Sequence, residues 1–127
     1  MTWLWLVGRV VFGVYFILDG ILHFTRFEST KQYAAYKGIP VPGFSVAVTG
    51  LLLLAGGLSI LTGYWVQPLL ILLAIFLVAA AVWVHNFWTV EDAQGKATEM
   101  AHFTKNIALA SAALMMLAIS QWSWTTF

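Results

Sequence analysis

Of the 127 residues, 61% are hydrophobic and only 9% are charged, and mean hydropathy is +0.88. Soluble domains carry about 25% charged residues, so the chain reads as an integral membrane protein: one compact bundle, residues 1–127, with no separate soluble domain. The formal net charge of +1 shows no nucleic-acid footprint, and the lack of cysteine excludes disulfides, thiolate chemistry and Cys-ligated metal or iron–sulfur centres.

The first apolar segment, 3–24, is WLWLVGRVVFGVYFILDGILHF. It is long enough to cross a bilayer, since about 20 residues at about 1.5 Å each span the hydrocarbon core. It nevertheless carries Arg9, Asp19 and His23. A charge at mid-membrane costs at least about 2.5 kcal/mol, so such groups face protein or water. On a helix, Arg9, Gly13, Phe16, Gly20 and His23 form one stripe, which is expected to face inward. Asp19 lies beside that stripe, four residues before His23 and within its reach. No basic residue precedes the apolar run and no A-x-A site follows it, so the segment reads as a retained span rather than a cleaved signal.

Residues 25–43 are more polar. Phe24, Phe27, Lys31 and Ala34 share a helical face, with Tyr33 and Tyr36 nearby, which suits a short helix at the membrane interface. Gly38 is the expected C-cap, and Pro40 and Pro42 stop the helix from continuing. The second span is expected at 44–61, where Ala47, Gly50 and Gly57 give a small-residue face for close helix approach. Tyr64 and Trp65 belong to the aromatic belt in the short turn that follows. The third span, 68–84, leads into His85-Asn86-Phe87-Trp88. Residues 89–101 hold Glu91, Asp92, Lys96 and Glu99; a second interfacial helix is expected here, capped by Thr89 or Asp92. The fourth span is placed at 103–122, with His102, Lys105 and Asn106 on its first turns and Trp122, Trp124 and Phe127 at the far interface. The expected fold is therefore all-α: a four-transmembrane-helix bundle with short interfacial helices in the 1–2 and 3–4 loops.

The long connections carry Arg26, Lys31, Lys37 and Lys96, with Lys105 at the mouth of the fourth span. The positive-inside rule puts both long loops in the cytoplasm and both termini outside. Segments 21–28 and 84–91 each place a His at a span's end, then aromatics, then a Glu, a faint echo between two helix–loop–helix halves.

Antiparallel spans bring Asp19 and His23, His85 and Trp88, and His102, Lys105 and Asn106 to the loop-bearing side, with Arg9 deeper, nearer the other face. Three readings compete. The first is structural: buried ionisable groups pair with one another and anchor helix ends. The second is a site for an amphipathic molecule such as a quinone, its tail in an apolar crevice, its carbonyl held by His, Asn or Lys, and Asp19 with His23 relaying a proton. The third is a metal site from His23, His85, His102 and Asp19, which no tight H-x-x-x-H or E-x-x-H pair among these four supports. No catalytic residue and no metal is assigned.

On RVVFGVYFILDGILHF, the KGIP-x-P turn, GLLLLAGGLSILTG, HNFWT and above all HFTKNIALASAALM, the chain resembles the DoxX family of small bacterial and archaeal four-span membrane proteins over nearly its whole length. The motif positions are Arg9, Gly20, His23, Gly38, Pro40, Gly50, Gly57, His85, Phe87, Trp88, Phe103, Lys105 and Asn106. The resemblance implies a four-helix bundle in the prokaryotic inner membrane and a link to redox metabolism, since a related family supplies a membrane subunit of a thiosulfate:quinone oxidoreductase. The implied role is an auxiliary or anchoring subunit of a quinone-linked assembly, not catalytic by itself, beside other membrane subunits or a second copy. One alternative is a quinone-reactive oxidoreductase subunit with its site at Asp19, His23, His85 and Lys105. Another is a small-molecule carrier or a lipid- or protein-binding adaptor. Many members carry a Glu where this chain has Leu53, which leaves Asp19 as the acid within a span.

Overall fold

The computed structural model describes residues 2–124, Thr2 by its backbone alone; Phe127, expected at the far interface, lies outside them. The elements are α1 (Thr2–Thr25), α2 (Phe27–Tyr36), α3 (Pro42–Thr62), α4 (Val66–Trp83) and α5 (Ala93–Met116), with a 3-10 turn at Phe87–Thr89. No strand occurs among the described residues. Three stretches are long and apolar enough to cross a membrane: Trp3–Thr25, Pro42–Thr62 and Val66–Thr89. Their outer faces carry exposed Val11, Leu18, Leu51, Leu58, Ile75 and Val82, a surface that only lipid or another apolar partner covers.

Element ends follow local chemistry. Gly38, at φ +78°, closes α2 in the left-handed region, where glycine carries no Cβ penalty. Pro42 opens α3, where its missing N–H is no loss. At the start of α5, the Asp92 carboxylate accepts from Gly95 N–H at 2.6 Å.

The closest packing is α1 against α3. Arg9, Gly13, Phe16 and Gly20 are buried, and His23 half-buried, so the stripe does face inward. The contact is reciprocal: Gly13 lies over the Gly57 carbonyl and Gly20 over that of Gly50, as antiparallel helices require. A Cβ added at Gly57 would stand 2.5 Å from the Gly13 carbonyl oxygen, so the two backbones touch because neither helix has a side chain there. α4 runs along α5, and α3 joins the pairs through a core of Phe16, Leu53, Ile60, Leu70, Leu73, Leu77, Ala110 and Ala113. Leu53 is fully buried in that core. α1 and α5 make no close backbone approach to each other and meet through side chains, Phe16 packing in one core with Ala110 and Ala113.

Two expectations fail. Residues 93–101 do not form a separate interfacial helix; they are the first turns of α5, because no proline interrupts Ala93–Met116 and Gly95 falls in its first turn. The helix also ends at Met116 rather than near 122, and the chain beyond turns back toward α1.

Arg9 fastens that return. Its Nε donates to Ile60 O at 2.7 Å, Nη2 to Leu61 O at 3.1 Å and Nη1 to Ser123 O at 3.3 Å. The guanidinium carbon lies 4.2 Å from the Trp124 ring centroid and 5.4 Å from that of Trp122. Trp124 Nε1 donates to Leu61 O at 3.0 Å. A cation thus meets the unsatisfied carbonyls of the α3 C-terminus and fastens the tail across them.

Candidate functional site

At the end opposite Arg9, α1–α5 enclose a cavity of about 540 Å³. Six of the residues singled out in the sequence line it: Asp19 and His23 from α1, His85 just after α4, and His102, Lys105 and Asn106 from α5. The remaining wall is largely apolar, with Leu22, Val46, Phe76, Leu77 and Trp83. Arg9 is not among them. Trp88 is also absent from the lining; it packs edge-on against Phe87 and Phe103, ring centroids 5.3 and 5.8 Å away.

The imidazoles are oriented differently. His23 Nδ1 lies 2.9 Å from the Asp19 main-chain oxygen, and 3.8 Å from the Asp19 carboxylate. A carbonyl only accepts, so Nδ1 carries the proton. His85 Nδ1 lies 2.7 Å from Glu99 Oε2, and the Tyr33 hydroxyl donates to Glu99 Oε1. The His85 and His102 rings stack at 4.9 Å. Beside this group, Lys37 Nζ donates to Asn86 Oδ1 at 2.8 Å. These bonds tie α2, the cavity's roof, to the ends of α4 and α5.

Charge is distributed unevenly. Lys105 Nζ lies 5.8 Å from the Tyr15 ring centroid, and no hydrogen bond or ion pair engages its ammonium among the described residues, so it is available to the cavity. Asn106 is 6% exposed, and its amide makes no side-chain hydrogen bond among the described residues. That amide opens onto the cavity, where a ligand or water reaches it. Burial alone would raise the Glu99 carboxyl, but the bonds from Tyr33 and His85 outweigh it and hold the acid below its ordinary 4.5. Burial, then the Glu99 bond and charge, push the Tyr33 phenol well above its ordinary 10.0.

Sequence reasoning missed Glu99 and Tyr33 as site residues. Glu99 carried a signal, an E-x-x-H spacing to His102 that sets both on one face of α5. Tyr33 carried none, since its partner is 66 residues away. Among the described residues, no group of three His, Asp or Glu is placed to hold a metal ion. What the arrangement offers chemically is a ring of donors and acceptors around a small polar head, over walls that accept a tail.

A helical membrane protein with a polar-mouthed, apolar-walled cavity between its helix pairs is the class these features define. The chain belongs to the DoxX family, whose model matches residues 4–86. It is similar to "Inner membrane protein YphA" of Escherichia coli (strain K12), 29% identical over 112 residues, 87% of this chain and 79% of that protein. It is also similar to "Inner membrane protein YqjF" of the same organism, 32% identical over 115 residues, 91% of this chain and 82% of that protein. No solved structure matches it.

Proposed function

We propose that the chain is a four-span auxiliary subunit of a quinone-linked redox assembly in the inner membrane, and that its cavity holds the quinone ring. The observation that carries this reading is the meeting of His23, His85, His102, Lys105 and Asn106 in one cavity with apolar walls. At about 540 Å³ it falls within the range of about 300–1,000 Å³ typical of small-molecule sites. Asp19, His23, His85 and Lys105 are the polar contacts of the ring, and Asn106 supplies an amide for a ring oxygen.

The four-span reading rests on α5. Its 24 residues match the length of α1, about 36 Å of helix, and it runs antiparallel to α4. Its polar first turns lie with α2 at the loop-bearing end, where Arg26, Lys31, Lys37 and Lys96 favour the cytoplasmic side. The small size and the membrane relatives support an anchoring role beside a second copy or other subunits.

The test is quenching of tryptophan emission by a short-tailed benzoquinone in nanodiscs, with Trp83 in the cavity wall as the near reporter. Lys105→Met and Asn106→Ala should each weaken binding about tenfold, the scale of a lost buried hydrogen bond. Unaltered binding in both variants rejects the site. Mild-detergent purification from the native membrane should bring down a stoichiometric partner; an isolated monomer that supports full cellular function rejects the subunit role.

A further inference from the structure

Resting on the quinone reading above, we infer that Glu99 sets the hydrogen-bonding sense of His85 so that the cavity holds the hydroxyl-bearing, reduced form of its ring ligand in preference to the carbonyl form. Glu99 is a positioning residue. It does not line the cavity, but both its oxygens are engaged, one by the Tyr33 hydroxyl and one by His85 Nδ1 at 2.7 Å.

The logic is one of donors and acceptors. An ionised carboxylate only accepts, so Nδ1 of His85 must carry a proton. On the neutral imidazole that one proton satisfies Glu99 and leaves Nε2 with its lone pair. Nε2 makes no hydrogen bond among the described residues, and His85 is part of the cavity lining. His102 stacks on the ring face at 4.9 Å and limits its rotation. The atom that meets Nε2 must therefore donate: a ring hydroxyl does, a quinone carbonyl does not. The second ring oxygen is served by Asn106 or Lys105, which tolerate either form, Asn106 because its amide has both a donor and an acceptor and Lys105 because a hydroxyl also accepts.

Glu99→Gln makes a directional prediction. Tyr33 donates to one position, so the amide oxygen turns to Tyr33 and the NH2 turns to His85. Nδ1 must then accept, the imidazole proton moves to Nε2, and the cavity presents a donor instead. The network stays satisfied, but its preference reverses.

The experiment measures anaerobic binding of a decyl-tailed benzoquinone and of its quinol to the full chain in nanodiscs. The wild type should hold the quinol about tenfold tighter, Glu99→Gln should favour the quinone by a similar factor, and His85→Ala should bind both alike, on the scale of one buried hydrogen bond. His85→Ala also keeps the inference testable should Glu99→Gln fold poorly. Equal binding of both forms by the wild type, or a preference untouched by His85→Ala, overturns this inference while the quinone site stands. Binding of neither form overturns the site itself and this inference with it.

Discussion

Replacing Gly57 by alanine tests the packing on which the whole arrangement rests. The new Cβ would lie 2.5 Å from Gly13 O, 2.7 Å from Ile17 Cγ1 and 2.9 Å from Ile17 N, where ordinary contact starts at 3.4 Å. Two of these three atoms are backbone, so no rotamer change relieves the clash, and α1 and α3 must part by most of an ångström. Overpacking of this kind costs about 1–3 kcal/mol. Alanine's better helix propensity returns about 1 kcal/mol. Gly8→Ala is the matched control: nothing lies within 4 Å of its Cβ, so only the propensity gain remains. The two variants should therefore differ by about 1–3 kcal/mol, with Gly57→Ala the less stable. Reversible unfolding in mixed micelles, followed by helical circular dichroism, measures the difference. Equal stability, or Gly57→Ala the more stable, would refute the claim that glycines hold these helices at backbone contact.

Other predictions concern the two polar ends. Arg9→Met should cost about 3 kcal/mol or more, because carbonyls of Ile60 and Leu61 lose a charged donor; released Trp122 and Trp124 should shift the emission maximum. Asn106→Leu should weaken quinone binding about tenfold, by removing an amide that opens onto the cavity, and leave the ligand-free unfolding temperature nearly unchanged; thermal unfolding with and without ligand separates the two. The Glu99 carboxyl is held low in the folded state, so its contribution is present above 4.5 and is lost as pH falls through the lower folded value. Tyr33→Phe should diminish that acid dependence, with the wild-type and variant stabilities converging at the lowest pH. Tyr33 itself is held high, so its contribution is full below 10.0 and declines as pH rises beyond it; ultraviolet titration of the phenolate in wild type and Tyr33→Phe checks this.

Much of the site could be read before any coordinates. Helical spacing alone put Arg9, Gly13, Phe16, Gly20 and His23 on one face, and the glycines at 50 and 57 had to meet something small. An up-and-down path then carried His85, His102 and Lys105 to the same end as Asp19. The limits were equally physical. The return of residues 117–124 depends on a guanidinium more than a hundred residues away in sequence, for which no local periodicity exists. The polar composition of 93–101 suggested a break, yet polarity does not end a helix when no proline or capping residue intervenes. Tyr33 and Glu99 share a bond across the cavity roof that only the packing of α2 reveals.

The backbones of α1 and α5 stay apart, and side chains span the distance: Phe16 shares the core with Ala110 and Ala113, and Lys105 lies over the Tyr15 ring. The Arg9 clasp fastens this wall at one end, and at the other the Tyr33–Glu99 and Lys37–Asn86 bonds hold the roof. Between these fastenings the two helix pairs are joined by side chains alone, so they can shift against each other by rotamer changes without breaking a main-chain hydrogen bond.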